Sequence, residues 1–186
     1  TYNATFTPSG QGATTIDVAG GVFTDSSSNN NTAATQFNWT YDSVVPTMVI
    51  TSSTVADGAT SNDSTIAMIF TSNEATTNFV VGDITVGGGA LSSFSGSGTT
   101  YTATFTPSGN GAKTIDVAIN KYTDSSGNNN TAASQFNWTF DTVAPTMAIT
   151  SAEVSDGGIS SNTTLSMTFT SSEATTNFVI GDISVS

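Results

Sequence analysis

The chain has 186 residues, with 14 acidic side chains against two cations, Lys113 and Lys121, for a formal net charge of −12. A nucleic-acid backbone is held by clustered Lys and Arg, so nucleic acid is excluded as a partner and an anionic membrane surface is disfavoured. Cys and His are absent, which removes disulfides, most zinc sites, thiol nucleophiles and imidazole bases.

The rest of the composition is hydroxyl and amide: 36 Thr, 27 Ser and 16 Asn, with 17 Gly. Thr is β-branched and suits a pleated surface, whereas Ser, Asn and Gly suit turns. An all-β chain with polar turns is expected. No apolar run approaches the roughly 20 residues that span a bilayer, so no membrane insertion is expected in this segment, and nothing reads as a signal peptide. Thr1 is not an initiator Met and its neighbourhood reads as mid-domain, so a window of a longer chain is expected.

Residues 1–41 read as the closing strands of a domain. TYNATFTPSGQGATTIDVA at 1–19 returns as TYTATFTPSGNGAKTIDVA at 100–118, and TAATQFNWTYDSVVPTM at 32–48 returns as TAASQFNWTFDTVAPTM at 131–147. EATTNFVVGDITV at 74–86 returns as EATTNFVIGDISV at 173–185. Every pair is offset by 99 residues, too long for a solenoid repeat and the size of one sandwich domain.

One full period, 42–140, then yields strands in order. Residues 48–52 form an apolar run after Pro46. Ile66, Met68 and Phe70 alternate at strand period two. A turn at Gly82-Asp83 leads to Ile84 and Val86. Residues 91–94 follow the break at Gly87-Gly88-Gly89. Tyr101, Ala103 and Phe105 share a face. After the Asn110-Gly111 turn, Ile115 and Val117 point inward. Phe136, Trp138 and Phe140 also point inward. About seven short strands separated by turn clusters are the sandwich pattern. The same parity makes Trp39 and Trp138 core residues and not a sugar-binding platform.

The unit resembles the bacterial Ig-like repeats of very large surface and adhesin-like proteins. The resemblance is carried by DTVAP at 141–145, NFVVGDITV at 78–86, TFTP at 104–107 and TDSSGN at 123–128, and it covers the whole chain. It implies tandem seven-stranded immunoglobulin-like β-sandwiches: residues 1–41 the C-terminal half of one repeat, 42–140 a complete repeat and 141–186 the N-terminal half of the next. It further implies an extracellular or cell-surface rod, stalk or filament, whose partners are neighbouring copies arranged head to tail. The alternative is an adhesive module binding carbohydrate or another cell surface. Two routes can complete the half-domains: one continuous polyprotein, or strand exchange between separate subunits.

Several residues remain as site candidates. Asp25 and Asp124 head Ser/Asn-rich loops, Asp42 and Asp141 stand before Pro46 and Pro145, and Asp57 and Asp156 head the next turn. Ca²⁺ takes six to eight oxygen ligands, and Ig-like stalks of the resembled kind stiffen junctions with it through acids in these loop classes. The same residues also serve as turn formers and caps, and both readings stand. Seven N-x-S/T sequons, at Asn3, Asn30, Asn38, Asn62, Asn129, Asn137 and Asn162, admit covalent glycans, or are polar strand and turn positions. No cofactor is required. Catalysis is not expected: Glu74 and Glu173 each occur once per repeat, without a second acid at a recognisable spacing, and the Gly run precedes no helix that could cradle phosphate.

Overall fold

Alternation decides which side of each strand is dry. Along 66–70, 101–105, 113–117 and 136–140 every second side chain is buried, as a period of two requires. The computed structural model describes residues 1–185. The chain divides into two compact units, Thr1–Phe140 and Asp141–Ser186.

The first unit opens with an antiparallel pair, β1 (Gly12–Ile16) and β2 (Phe37–Tyr41). Seven strands follow: β3 (Met48–Ser52), β4 (Thr60–Ser61), β5 (Ile66–Thr76), β6 (Ile84–Gly87), β7 (Gly89–Pro107), β8 (Gly111–Val117) and β9 (Phe136–Phe140). They form two sheets, β3-β5-β7 and β4-β9-β8-β6, with only the β4–β9 pairing parallel. Between the sheets lies a core with Ile66, Phe70, Phe105, Ile115, Val117 and Trp138 at its centre, all essentially inaccessible. Phe105 and Trp138 meet edge-on at 4.8 Å, and Phe79 meets Tyr101 and Tyr122 edge-on at 5.1 Å each, the arrangement that ring quadrupoles favour.

This layout is the expected all-β sandwich with seven strands in 42–140, but the membership differs from the sequence reading in two places. Residues 91–94 and 101–105 do not form separate strands; both belong to the 19-residue β7. The glycine run does break the chain, at Gly88, where φ is +74°. Gly89 then lets β7 start directly over the core, since a Cβ there would run into the Phe105 ring and the Thr106 carbonyl. The seventh strand is instead the two-residue β4 at the sheet edge, too short to leave a periodic signal. The turn at 82–83 is a single 3₁₀ turn, Val81–Asp83.

The second unit contains one antiparallel pair, β10 (Met147–Ser151) and β11 (Met167–Ser171), and a 3₁₀ turn, Ile180–Asp182. Its apolar face is open. Met167 is 48% exposed where Met68, its counterpart 99 residues earlier, is 1% exposed.

Candidate metal centre

β5 carries apolar residues inward only over its first half. Ile66, Met68 and Phe70 are followed on the same face by Ser72, Glu74 and Thr76, so one end of the core is polar. The β5–β7 ladder runs regularly from Ile66↔Phe105 to Thr71↔Thr100 and then slips, resuming at Thr76↔Gly98. The irregularity leaves residues 72–75 outside the β5–β7 register. Thr76 Oγ1 and the Tyr101 hydroxyl are 2.6 Å apart. Ser72 Oγ, Glu74 Oε1 and the Tyr122 hydroxyl are buried without an aligned hydrogen-bond partner.

The 123–130 loop closes over this end. Asp124 folds it into a turn, accepting hydrogen bonds from the Ser126 and Asn128 backbone N–H groups (2.8 and 2.9 Å) and from Asn128 Nδ2 (2.8 Å). Asn130 is fully buried and locks the base of the loop. Its Oδ1 accepts from the Lys121 and Tyr122 N–H groups, and its Nδ2 donates to the Ala118 and Thr131 carbonyls. The loop is tied to β5 by Thr77 N–H donating to the Thr123 carbonyl at 3.2 Å.

The third component is the linker after β2. Ser126 Oγ donates to Asp42 Oδ2 at 3.0 Å, and Asn128 Nδ2 to the Asp42 carbonyl at 3.3 Å. Asn73 holds the same linker from β5, accepting from Thr47 N–H at 2.6 Å, and Thr131 N–H donates to the carbonyl of buried Pro46 at 3.0 Å. From the preceding half-repeat, Gln11 grips Ser43 through two hydrogen bonds of 2.7 and 3.0 Å.

Carboxylate oxygens of Asp42, Glu74 and Asp124 thereby come within 4.8 Å of one another. Burial, then the Asp124 and Asp42 charges, push the Glu74 carboxyl above its ordinary value. Asp124 is pulled the other way. Burial raises it, but the hydrogen bonds from the side chain and backbone of Asn128 and the backbone of Ser126 and Gly127 outweigh burial and hold it low. Three hard oxygen donors, one with a buried orphaned oxygen, suit Ca²⁺ far better than a soft metal.

Of the six aspartates singled out in the sequence, Asp42 and Asp124 belong to this cluster. Asp25 forms the same turn as Asp124, accepting from Ser27 and Asn29, which holds its carboxyl low, but among the described residues it belongs to no group of three acids. Asp57 accepts from Asn137 N–H at 2.8 Å and stitches its turn to β9. Asp141 accepts from Val143 N–H at 3.0 Å. Asp156 lies in an exposed turn. Glu74 is the residue that sequence spacing missed, because its partner acids are 32 and 50 positions away. Its inward parity with Met68 and Phe70 was the available signal. Lys113 was also missed: it is buried in β8, with Nζ 6.0 Å from the centre of the Phe140 ring. All seven sequon asparagines are exposed. Trp138 is 2% exposed and lies in the core; Trp39 is half-buried against Phe6, whose ring lies 5.2 Å away.

Residues 42–140 match the family model described as a bacterial Ig-like domain. The chain belongs to the bacterial Ig-like domain family. Among curated proteins and among solved structures, none gives a significant match. Domains of this family are structural or adhesion-type modules, typically non-enzymatic and commonly surface-exposed. No helix among the described residues is long and apolar enough to cross a membrane.

Proposed function

We propose that this chain is a structural repeat of an extracellular rod, stalk or filament, assembled head to tail from bacterial Ig-like domains, whose partners are neighbouring copies of the same unit. The linker at residues 42–47 carries this reading. It is held by Gln11 from the preceding half-repeat and by Asn73, Ser126, Asn128 and Thr131 from the repeat that follows. A connection gripped at this many points resists bending, which suits a spacer. The strand and turn sequences recur with little change at 99-residue spacing, as expected where every unit does the same mechanical work.

Ca²⁺ is the cation proposed for Asp42, Glu74 and Asp124. Bound there, it would relieve the repulsion among three carboxylates and join linker, β5 and the 123–130 loop through one centre. The exposed sequons are positions where glycans would attach without disturbing the core, in a source that glycosylates Asn.

Electron microscopy with an antibody against residues 42–140 tests the reading. Labelled surface fibres or rods, with an axial repeat of roughly 35–45 Å for strands of this length, are expected. Label confined to the cell interior, or to discrete compact particles, would overturn it.

A further inference from the structure

We infer that Asn110 is a site of spontaneous covalent modification: in the folded chain its side-chain amide is lost through ring closure on the Gly111 nitrogen, leaving aspartyl and isoaspartyl products at the turn into β8. The inference is independent of the head-to-tail reading and needs no reactant but water. The Gly111 backbone nitrogen gives up its proton to hydroxide and attacks Cγ of Asn110. The bond from Cγ to the side-chain nitrogen breaks, ammonia leaves with a proton returned from water, and a five-membered succinimide joins the two residues. Water then opens the ring. Attack at Cγ restores the ordinary backbone with an aspartyl side chain, and attack at the main-chain carbonyl routes the backbone through Cβ and Cγ.

Ring closure is intramolecular, so its rate follows from how freely the nitrogen and Cγ can meet. Of the 16 Asn, Asn110 is the one followed by Gly; at every other, the Cβ of the next residue crowds the attacking nitrogen. Asn110 is exposed, and it stands in the turn between β7 and β8. Gly111 has φ +107°, and a Cβ placed on it would meet no atom within 4 Å. The surroundings of the reacting nitrogen are therefore open.

The chain carries its own controls. Gln11-Gly12 is the same turn one period earlier, with Gly12 at φ +110° and equally open surroundings. Gln11 is longer by one methylene, so its ring would be six-membered and slower to close. Its amide is also held, donating to Ser43 Oγ at 2.7 Å and accepting from Ser43 N–H at 3.0 Å. Asp57-Gly58 sets an acid before Gly, but both reacting groups are pinned. Gly58 N–H donates to the Asn137 carbonyl at 2.7 Å, and Asp57 Oδ1 accepts from Asn137 N–H at 2.8 Å. Two turns of one shape thus differ in lifetime. Each event at Asn110 adds one negative charge, and the isoaspartyl product lengthens the backbone by one carbon immediately before Gly111↔Phe140, the first pair of the β8–β9 ladder.

Peptide mapping by mass spectrometry of the folded 186-residue chain, aged at neutral and at mildly alkaline pH, tests the inference. Cleavage after Lys113 releases one peptide that holds both Gln11 and Asn110. The mass gain of an amide-to-acid change should accumulate at Asn110, faster at the higher pH, as two products of equal mass that separate on chromatography. Over the same period Gln11 and the other Asn should keep their amides, and Asp57 should stay normally linked until urea unfolds the chain. Asn110→Gln repeats the sequence of the earlier turn and should abolish the modification, with an unchanged melting curve to show that the repeat still folds. An Asn110 that keeps its amide in the folded chain overturns the inference, whether or not urea releases it. So does amide loss at an equal rate from Gln11 or from the other Asn.

Discussion

Single residues do two kinds of work here: they close loops, and they set the charge at the polar end of the core. Asn130 is buried and makes four hydrogen bonds with backbone groups of its loop. Asn130→Ala should destabilise the complete repeat by about 3 kcal/mol, because unsatisfied buried groups cost about 1–3 kcal/mol each and water recovers part of that; urea unfolding measures it. Glu74 makes stability depend on pH in an unusual direction. Its carboxyl lies above the ordinary 4.5 in the folded state, so the folded chain binds the proton more tightly than the unfolded one. Its contribution therefore grows as pH falls from neutral through the raised value and is complete by 4.5. Asp124 and Asp25 are held below 3.8, so their contribution is present above that value and fades below it. The urea midpoint should rise on mild acidification and then fall. Glu74→Gln, or saturating Ca²⁺, should remove the rise.

At the scale of the element, β7 and β9 meet inside the core. Trp138 packs on Phe105 and Phe136, and Trp138→Ala should cost about 3–5 kcal/mol and unfold the repeat at moderate temperature, as read by circular dichroism. Gly89→Ala should destabilise the start of β7 through collision with the Phe105 ring, whereas Gly109→Ala meets no neighbouring atom and pays only for its positive φ of 66°. The loops follow a local rule. Gly21 and Asn120 occupy the same repeat position, both with left-handed φ (77° and 61°), and Asn is the residue that tolerates this best after Gly. The sequence difference between copies at that point stays within this conformational limit.

For the molecule as a whole, the carboxylate cluster predicts that Ca²⁺ raises the melting temperature of residues 42–140 and that chelation reverses the gain. Asp42→Asn or Glu74→Gln should weaken Ca²⁺ binding in calorimetry, while Asp57→Asn, on a turn outside the cluster, should leave binding unchanged. Equal melting curves with and without chelator would remove the metal from the account and leave the linker held by its hydrogen bonds alone.

The chain allows a direct separation of local from tertiary causes, because nearly the same sequence occurs in two settings. The 25–31 loop in the half-repeat makes the same Asp and Asn hydrogen bonds as the 124–130 loop in the complete repeat. Loop shape is thus determined by nearby side chains, and was legible as a Ser/Asn-rich turn cluster. The inward parity of Ile115, Phe136 and Trp138 was legible too, because a strand has a period of two. YTATFTP at 101–107 is strand, laddered to β5, yet its near copy YNATFTP at 2–8 is not: local sequence alone does not decide whether the backbone extends. Only the tertiary structure decided the length of β7, the existence of β4 and the meeting of Asp42, Glu74 and Asp124. Each depends on residues tens of positions apart, where alternation and turn chemistry carry no information.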